Sequence, residues 1–443
     1  MINLAPSAGA DRRAFDLDKG LVLKILIHGI NFAPELIGVG KYTGEMAAWL
    51  AGHGHAVRVV TAPPYYPGWR VGEGYSAARY RRESWSASGG AGAQVWRCPL
   101  WVPQQPGGLK RVAHLASFAA SSAPIMLAQV RWRPDLVLVV EPTLLNAPAA
   151  LATARLSGAK TWLHIQDLEV DAAFDMGLLP RGALRSAALA AERALLRGFD
   201  RVSTISEAMR ERLIAKGVSA EKAPLFANWV DVDAISPLDR ASTFRSQLDL
   251  APHVCVALYA GNLGEKQGLE MLIEAARRLQ HEPNLVFVIA GSGSARASLE
   301  AMGAGLGNLR WLPLQPAERL NDLLNLADIH LLPQRADAAD LVMPSKLTGM
   351  LASGRPVVAT AGQGTQLGRV VSGCGVLTPP GDGAALANAI AALVADPAQR
   401  RVLGRAARAY AEQHLARDAI MSRFENTALA LCGRPFPAPK EPA

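Results

Sequence analysis

Short apolar runs recur along the chain, each followed by a glycine-bearing or polar loop and then by apolar residues at helical spacing. In the first half the runs are Leu21–His28, Ala56–Thr61, Asp135–Glu141, Lys160–Ile165 and Arg201–Ser206. In the second they are His253–Ala260, Asn284–Ala290, Asp328–Leu332 and Pro356–Thr360. Runs of this length without polar alternation predict strands covered on both faces, and their alternation with helices predicts a parallel α/β architecture. Helices are expected at Tyr42–Leu50 after a loop over Gly29–Lys41, at Val112–Val130, and beyond Gly268 with Leu269, Leu272, Ile273 and Ala276 on one face. Others are expected at Lys346–Ser353, Gly383–Val394, Ala398–His414 and Ile420–Leu431. Asn228–Asp231 reads as a hinge between two Rossmann-like halves. The expected division is a loose extension over 1–20, a first domain over 21–233 and a second over 234–415. A C-terminal helix and tail over 416–443 would pack back on the first domain.

Composition narrows the class. The chain has 443 residues, half of them hydrophobic, which is enough for two cores. Its four cysteines have no metal or redox spacing, so a reducing compartment is expected. Met1–Gly20 lacks the apolar centre of a signal peptide, and no stretch of about 20 residues is apolar enough to span a bilayer. The net charge of +8 is uneven. Tyr65–Pro134 holds nine Lys/Arg against Glu73 and Glu83, and five of the nine tryptophans. No nucleic-acid module accompanies this patch, so its expected partner is an anionic membrane surface and not nucleic acid. Val112–Val130, flanked by Lys110-Arg111 and Arg131-Trp132-Arg133, fits either an interfacial helix or a core helix with basic ends.

The chemistry gathers where strands end. Gly38-x-Gly40-x-x-x-Gly44 departs from the dinucleotide fingerprint, and no acid follows the second strand, so nicotinamide binding is not expected. The P-loop pattern is absent as well. Three second-half junctions instead join a strand to a helix through anion-friendly loops: Gly261-Asn262-Leu263-Gly264, Gly291-Ser292-Gly293 and Pro344-Ser345-Lys346. Ser345 is expected to cap the last helix, leaving the first-turn amides at Ser345–Leu347 and the Lys346 charge for an anion. Three such corners on one sheet edge point to a nucleoside diphosphate. In the first half His164, Gln166, Asp167 and Glu169 cluster at one strand tip, with Glu35 in an earlier loop. Asp231-Val232-Asp233 lies at the hinge, away from the phosphate loops, so no metal and no other cofactor is expected.

Taken together, INFAPELIGVGKYTGEMAAWL, HIQDLEVDAAF, GNLGEKQGLE and PSKLTGMLASGRPVVAT resemble family 4 of the GT-B glycosyltransferases, in particular its colanic-acid-type, WcaI-like branch. The resemblance runs from Leu21 to about Leu431. It implies two Rossmann-like domains with a cleft between them, and retaining transfer of a sugar, fucose from GDP-fucose, to a polyprenyl-diphosphate-linked acceptor in exopolysaccharide assembly. It implies a cytoplasmic protein, peripheral on the inner face of the plasma membrane. On this reading Asp167, Lys266 and Lys346 are catalytic. Gly38, Gly40, Gly261, Asn262, Gly291, Gly293, Ser345, Lys346, Leu347 and Gly349 bind the donor. Glu35, His164, Gln166 and Glu169 lie on the acceptor side. The sequence departs from the family pattern at several points. The paired glutamates of E-x7-E fall on Leu341 and Gly349, with Asp337 or Asp340 as substitutes. The first-loop arginine falls on Asn262, the usual lysine on Gln267, and the usual His-Asp pair on Gln166-Asp167. A catalytically silent scaffold subunit and a nucleotide-sugar epimerase remain alternatives.

Overall fold

The computed structural model of the chain describes residues 22–87, 90–105, 107–168, 183–264, 267–335 and 344–435. The first sheet has the order β3-β4-β2-β1-β5-β6-β7. Its strands are β1 Lys24–Gly29, β2 Ala56–Thr61, β3 Arg81–Ser86, β4 Gly92–Arg97, β5 Leu136–Val140, β6 Lys160–Ile165 and β7 Arg201–Thr204. All pair in parallel except β3, which runs antiparallel to β4 at the edge. The second sheet is parallel throughout, in the order β10-β9-β8-β11-β12-β13. Its strands are β8 Cys255–Ala260, β9 Leu285–Ala290, β10 Leu309–Leu312, β11 Ile329–Leu332, β12 Val357–Thr360 and β13 Gly375–Thr378.

The described helices of the first half are α1 Gly38–Gly52, α2 Gly108–Ala128, α3 Ala147–Ser157, α4 Ala183–Arg197 and α5 Glu207–Ala215. The second half has α6 Thr243–Gln247, α7 Glu270–Arg278, α8 Arg296–Met302, α9 Leu320–Leu324, α10 Lys346–Ala352, α11 Gln366–Val371, α12 Gly383–Ala395 and α13 Pro397–Tyr410, followed by α14 Arg417–Leu431. Alternation along each strand feeds two cores: Ile25 and Ile27 of β1 join one face, Leu26 the other. In both sheets the order reverses about the first strand, β1 between β2 and β5, β8 between β9 and β11. Ligands of open α/β sheets lie at such points, beyond the C-terminal strand ends.

The two halves are joined by chain crossings that run side by side. The Val230 amide donates to Leu415 O (2.8 Å) and the Arg417 amide to Val230 O (2.9 Å). The Arg417 guanidinium pairs with Asp231 at 2.8 Å. Helix α14 then lies on the first half, with Phe424 stacked on Phe226 at 4.8 Å and Asp418 accepting from Trp49 Nε1 at 3.0 Å.

Three expectations need correction. Helix α1 begins at Gly38, so Gly38 and Gly40 form its first turn and are not part of a loop. Gly40 is needed for packing: a Cβ there would lie 2.3 Å from Glu35 Oε2. Ser345 has helical backbone angles and its side chain caps nothing. The basic stretch between Tyr65 and Pro134 contains β3 and β4, which were not expected. Arg97, counted in that patch, is 1% exposed. Its guanidinium is bonded to Glu83 and to the carbonyls of Ala62 and Ala33, so it ties loops together and leaves no charge for a partner.

Candidate active site

On the second half, β8 and β9 extend their ladder into the two glycine loops. The Gly261 amide donates to Ala290 O and the Leu263 amide to Ser292 O, both at 2.9 Å. A Cβ on Gly291 would sit 1.9 Å from Gly261 O, so only glycine lets the loops meet. Beside them stands Lys346, the first residue of α10. Its Nζ donates to Tyr259 Oη (2.8 Å) and Gln267 Oε1 (3.0 Å) and lies 4.4 Å from the centre of the Tyr259 ring. Tyr259 in turn donates to Asn262 O at 2.7 Å. Gly261, Asn262, Gln267 and Lys346 are thus one cluster, centred on a tyrosine that sequence reading did not select. The signal was present, because a tyrosine in a buried strand must find a partner for its hydroxyl.

Both partners of Lys346 among the described residues are neutral. Loss of water around its ammonium brings its pKa down from 10.5 to about 7. A group with such a pKa is favoured in its charged form by a nearby anion. The α10 N-terminus offers less than expected, because the Leu347 amide already donates to Pro344 O at 3.0 Å. Gly349 faces Leu324, whose Cδ1 would lie 3.2 Å from an added Cβ. The Gly349 side of α10 therefore packs against α9.

The polar residues of the first half are differently employed. Glu35 is buried. Its Oε2 accepts from Asn31 Nδ2 (2.9 Å) and its Oε1 from the amides of Tyr65 (3.1 Å) and Tyr66 (3.0 Å). Burial pushes its pKa up, against the pull of these donors. His164 is buried between Ser203 Oγ and Gln166 Nε2, each 3.0 Å from a ring nitrogen. Burial lowers its pKa to about 3, so the ring is neutral. Asp167, at the mouth of the same strand end, is only partly covered. Desolvation raises its pKa and nearby Arg111 opposes that rise. Burial raises the Tyr66 pKa, and Asp167, Glu35 and Arg111 all lie within electrostatic reach of it. Arg111 was read from sequence as a basic flank of Val112–Val130 and not as a neighbour of Asp167, and Tyr66 was not selected. Lys266, Glu169, Asp337, Asp340 and Leu341 lie outside the described residues. Among the described residues no three His, Cys, Asp or Glu side chains converge as metal ligands would.

Residues 38–229 match the family described as glycosyl transferase 4-like domain, and residues 255–396 match glycosyl transferases group 1. The Escherichia coli K12 protein named as the colanic acid biosynthesis glycosyl transferase WcaI is 47% identical over 417 residues, covering 91% of this chain and 99% of that protein. A Pseudomonas aeruginosa glycosyltransferase, WbjE, is 27% identical over 62% of this chain and 69% of its own. The fold superposes on sucrose-phosphate synthase from Thermosynechococcus elongatus with a TM-score of 0.70 at 19% identity, covering 93% of this chain and 99% of that one. It superposes on Anabaena HepE in complex with UDP with a TM-score of 0.67 at 17% identity, covering 92% and 100%. At these identities the two structures show the fold: paired Rossmann-like domains around a central cleft. The chain belongs to the family 4 glycosyltransferases of GT-B fold, close to WcaI, and is an enzyme that transfers sugar from a nucleotide-sugar donor.

Proposed function

We propose that the enzyme transfers fucose from GDP-fucose, with retention, to a polyprenyl-diphosphate-linked acceptor during exopolysaccharide assembly. The observation that carries the site assignment is Lys346, a desolvated ammonium held only by neutral partners among the described residues. In this reading it binds the donor diphosphate and stabilises the charge that grows on the leaving nucleotide. A preorganised cation in a water-poor site performs that task without reorganisation cost. Gly261 and Asn262 line the approach to the phosphates, with Gly291 and Gly293 behind them. The acceptor hydroxyl enters from the side of Asp167, a carboxylate whose pKa is raised by desolvation and which serves in this reading as the proton acceptor. The relation to WcaI, named for colanic acid biosynthesis, supports the pathway class.

A lipid-linked acceptor requires access to the bilayer. No described helix is long and apolar enough to cross one. The outward face of α2 nevertheless exposes Leu109, Val112, Ala116, Ala120, Pro124 and Leu127 at helical spacing. Lys110 and Arg131 stand at its ends, and Trp101 is 48% exposed nearby. This favours the interfacial reading of the helix and peripheral docking on the anionic inner leaflet. Thermal-shift comparison of GDP-fucose with UDP- and dTDP-sugars tests the donor. Stabilisation by GDP-fucose above the others is expected, and stabilisation by a UDP-sugar alone would replace it. Release from anionic liposomes on joint neutralisation of Lys110, Arg111, Arg131 and Arg133 tests the docking face.

A further inference from the structure

Strand β4 ends at Arg97, and the antiparallel edge strand β3 begins opposite it at Arg81. This corner lies at the C-terminal ends of the parallel strands, where open α/β sheets bind their ligands. It opens into a cavity of about 330 Å³ whose lining includes Pro63, Tyr75, Ser76, Arg79, Arg81 and Arg97, and no acid. That volume falls within the range of small-molecule sites, roughly 300–1,000 Å³. One wall is bonded to α2, because Tyr80, also in the lining, donates to Ser121 O at 2.9 Å. Pro63 begins the loop whose Tyr66 lies within electrostatic reach of Asp167, so the cavity and Asp167 flank one loop.

The charge of this corner is not balanced from within. Glu83 takes the buried Arg97 at 2.9 Å, and Arg81 shares the same carboxylate at 3.0 Å. One carboxylate cannot neutralise both guanidiniums. Arg79 is exposed and has no ion pair among the described residues. Glu35, the acid within reach of Arg97 on its other side, is turned to the Tyr65 and Tyr66 amides. The excess therefore rests on Arg79 and Arg81. Tyr75 limits the freedom of Arg81: its ring lies between two guanidiniums, Arg81 at 5.0 Å and Arg97 at 5.2 Å from its centre. Ser76 Oγ accepts from the Ala78 amide at 3.2 Å and keeps its own proton to donate.

We propose that this cavity is a second diphosphate site, on the acceptor side: Arg79 and Arg81 hold the diphosphate that joins the acceptor sugar to its lipid. A diphosphate diester carries one charge on each phosphate, which matches the two uncompensated guanidiniums. A single sugar carboxylate would leave one of them unmatched. Planar guanidinium forks suit phosphate oxygens. The bond from Tyr80 to α2 sets the cavity beside the helix read as lying on the bilayer, the depth at which a lipid diphosphate sits. The sugar would then reach past the Pro63–Tyr66 loop toward Asp167. The inference rests on the reading of the acceptor as a diphosphate-linked lipid.

The test is calorimetric titration of inorganic pyrophosphate, and separately of glucuronate, into full-length protein carrying Lys346→Met, which removes the donor-side cation. This protein should still bind pyrophosphate, and more tightly than glucuronate. Adding Arg79→Gln and Arg81→Gln should weaken pyrophosphate binding about tenfold, the lower end of the worth of charge-assisted bonds. The melting temperature should not change, since both side chains are exposed. Pyrophosphate affinity unaltered by the two substitutions, or no binding once Lys346 is replaced, would overturn the proposal. Glucuronate bound as tightly as pyrophosphate would overturn the diphosphate as ligand. Arg79→Gln/Arg81→Gln in the otherwise parental protein should still sediment with phosphatidylglycerol vesicles; its release from vesicles that retain the parent would assign these arginines to the membrane surface and overturn the site. None of these readouts uses a nucleotide sugar, so failure of the GDP-fucose assignment is seen separately in the donor thermal shifts.

Discussion

The strand-end clusters of the two halves look alike in sequence and differ in structure. In the first half, Glu35, His164 and Gln166 have their hydrogen bonds met by neighbouring loops and strands. In the second, Lys346 is desolvated and has only neutral hydrogen-bond partners among the described residues, which brings its pKa down to about 7. Polar residues at a strand tip are therefore a weak sign of chemistry by themselves. The informative feature is electrostatic demand left over after internal partners are counted. By that measure we propose Lys346 for the donor side and Asp167 for the acceptor side, with Glu35 and His164 as scaffolding.

This contrast predicts a ranking of effects. Lys346→Ala should weaken nucleotide-sugar affinity about tenfold to a hundredfold, the worth of a charge-assisted contact of roughly 1.5–3 kcal/mol, with the fold unchanged. Calorimetric titration reads this, and unchanged affinity would remove Lys346 from the site. Next comes pH. With a free-state pKa of about 7, raised once a diphosphate is bound, Lys346 is neutral in the free protein at higher pH and must be protonated to bind. Donor affinity should then decline by up to about tenfold per unit above pH 7, and flat affinity from pH 7 to 9 would contradict this. The sign for stability is the reverse. Between about pH 7 and 10.5 the unfolded chain holds the extra proton, so this lysine's contribution to stability rises with pH across that window.

Glu35→Ala should behave oppositely to Lys346→Ala. It removes the acceptor of the buried Tyr65 amide and the partly buried Tyr66 amide and should cost about 1–3 kcal/mol in urea unfolding, while donor affinity stays within about twofold. A large affinity loss at parental stability would move Glu35 from scaffold to site. The smallest expected effect is that of chelation. Transfer in excess EDTA should proceed at nearly the untreated rate if, as proposed, Lys346 neutralises the leaving diphosphate. Loss of activity restored by Mg²⁺ or Mn²⁺ would reveal an acidic metal site.

The sequence made some of this legible. Strand β6 has the bounds that its apolar run predicts, Lys160–Ile165, and the second-half glycine loops stand where strand meets helix. Those signals are local: an apolar run and a residue that fits a close backbone approach. Strands β3 and β4 escaped because the edge strand, RRESWS, is polar and mostly uncovered, so it has no apolar run to betray it. Helix α1 began earlier than read because its glycines suit contacts with Glu35 and Ala33, and not a loop. Arg97 could not be told from its surface neighbours, since its burial depends on Glu83 and two distant carbonyls. Tyr259 and Gln267 became meaningful only once the fold set them around Lys346.

The central claim, that Lys346 takes up a proton as it takes the diphosphate, is open to one direct measurement. GDP is titrated into the protein by calorimetry at pH 7.5 in two buffers of different ionisation enthalpy, for the parent and for Lys346→Met. The account predicts net uptake of a substantial fraction of a proton by the parent, declining as the starting pH is lowered below 7, and a clear loss of that uptake in the variant. Equal uptake by both proteins, or none by the parent despite tight binding, would show that the diphosphate is neutralised elsewhere.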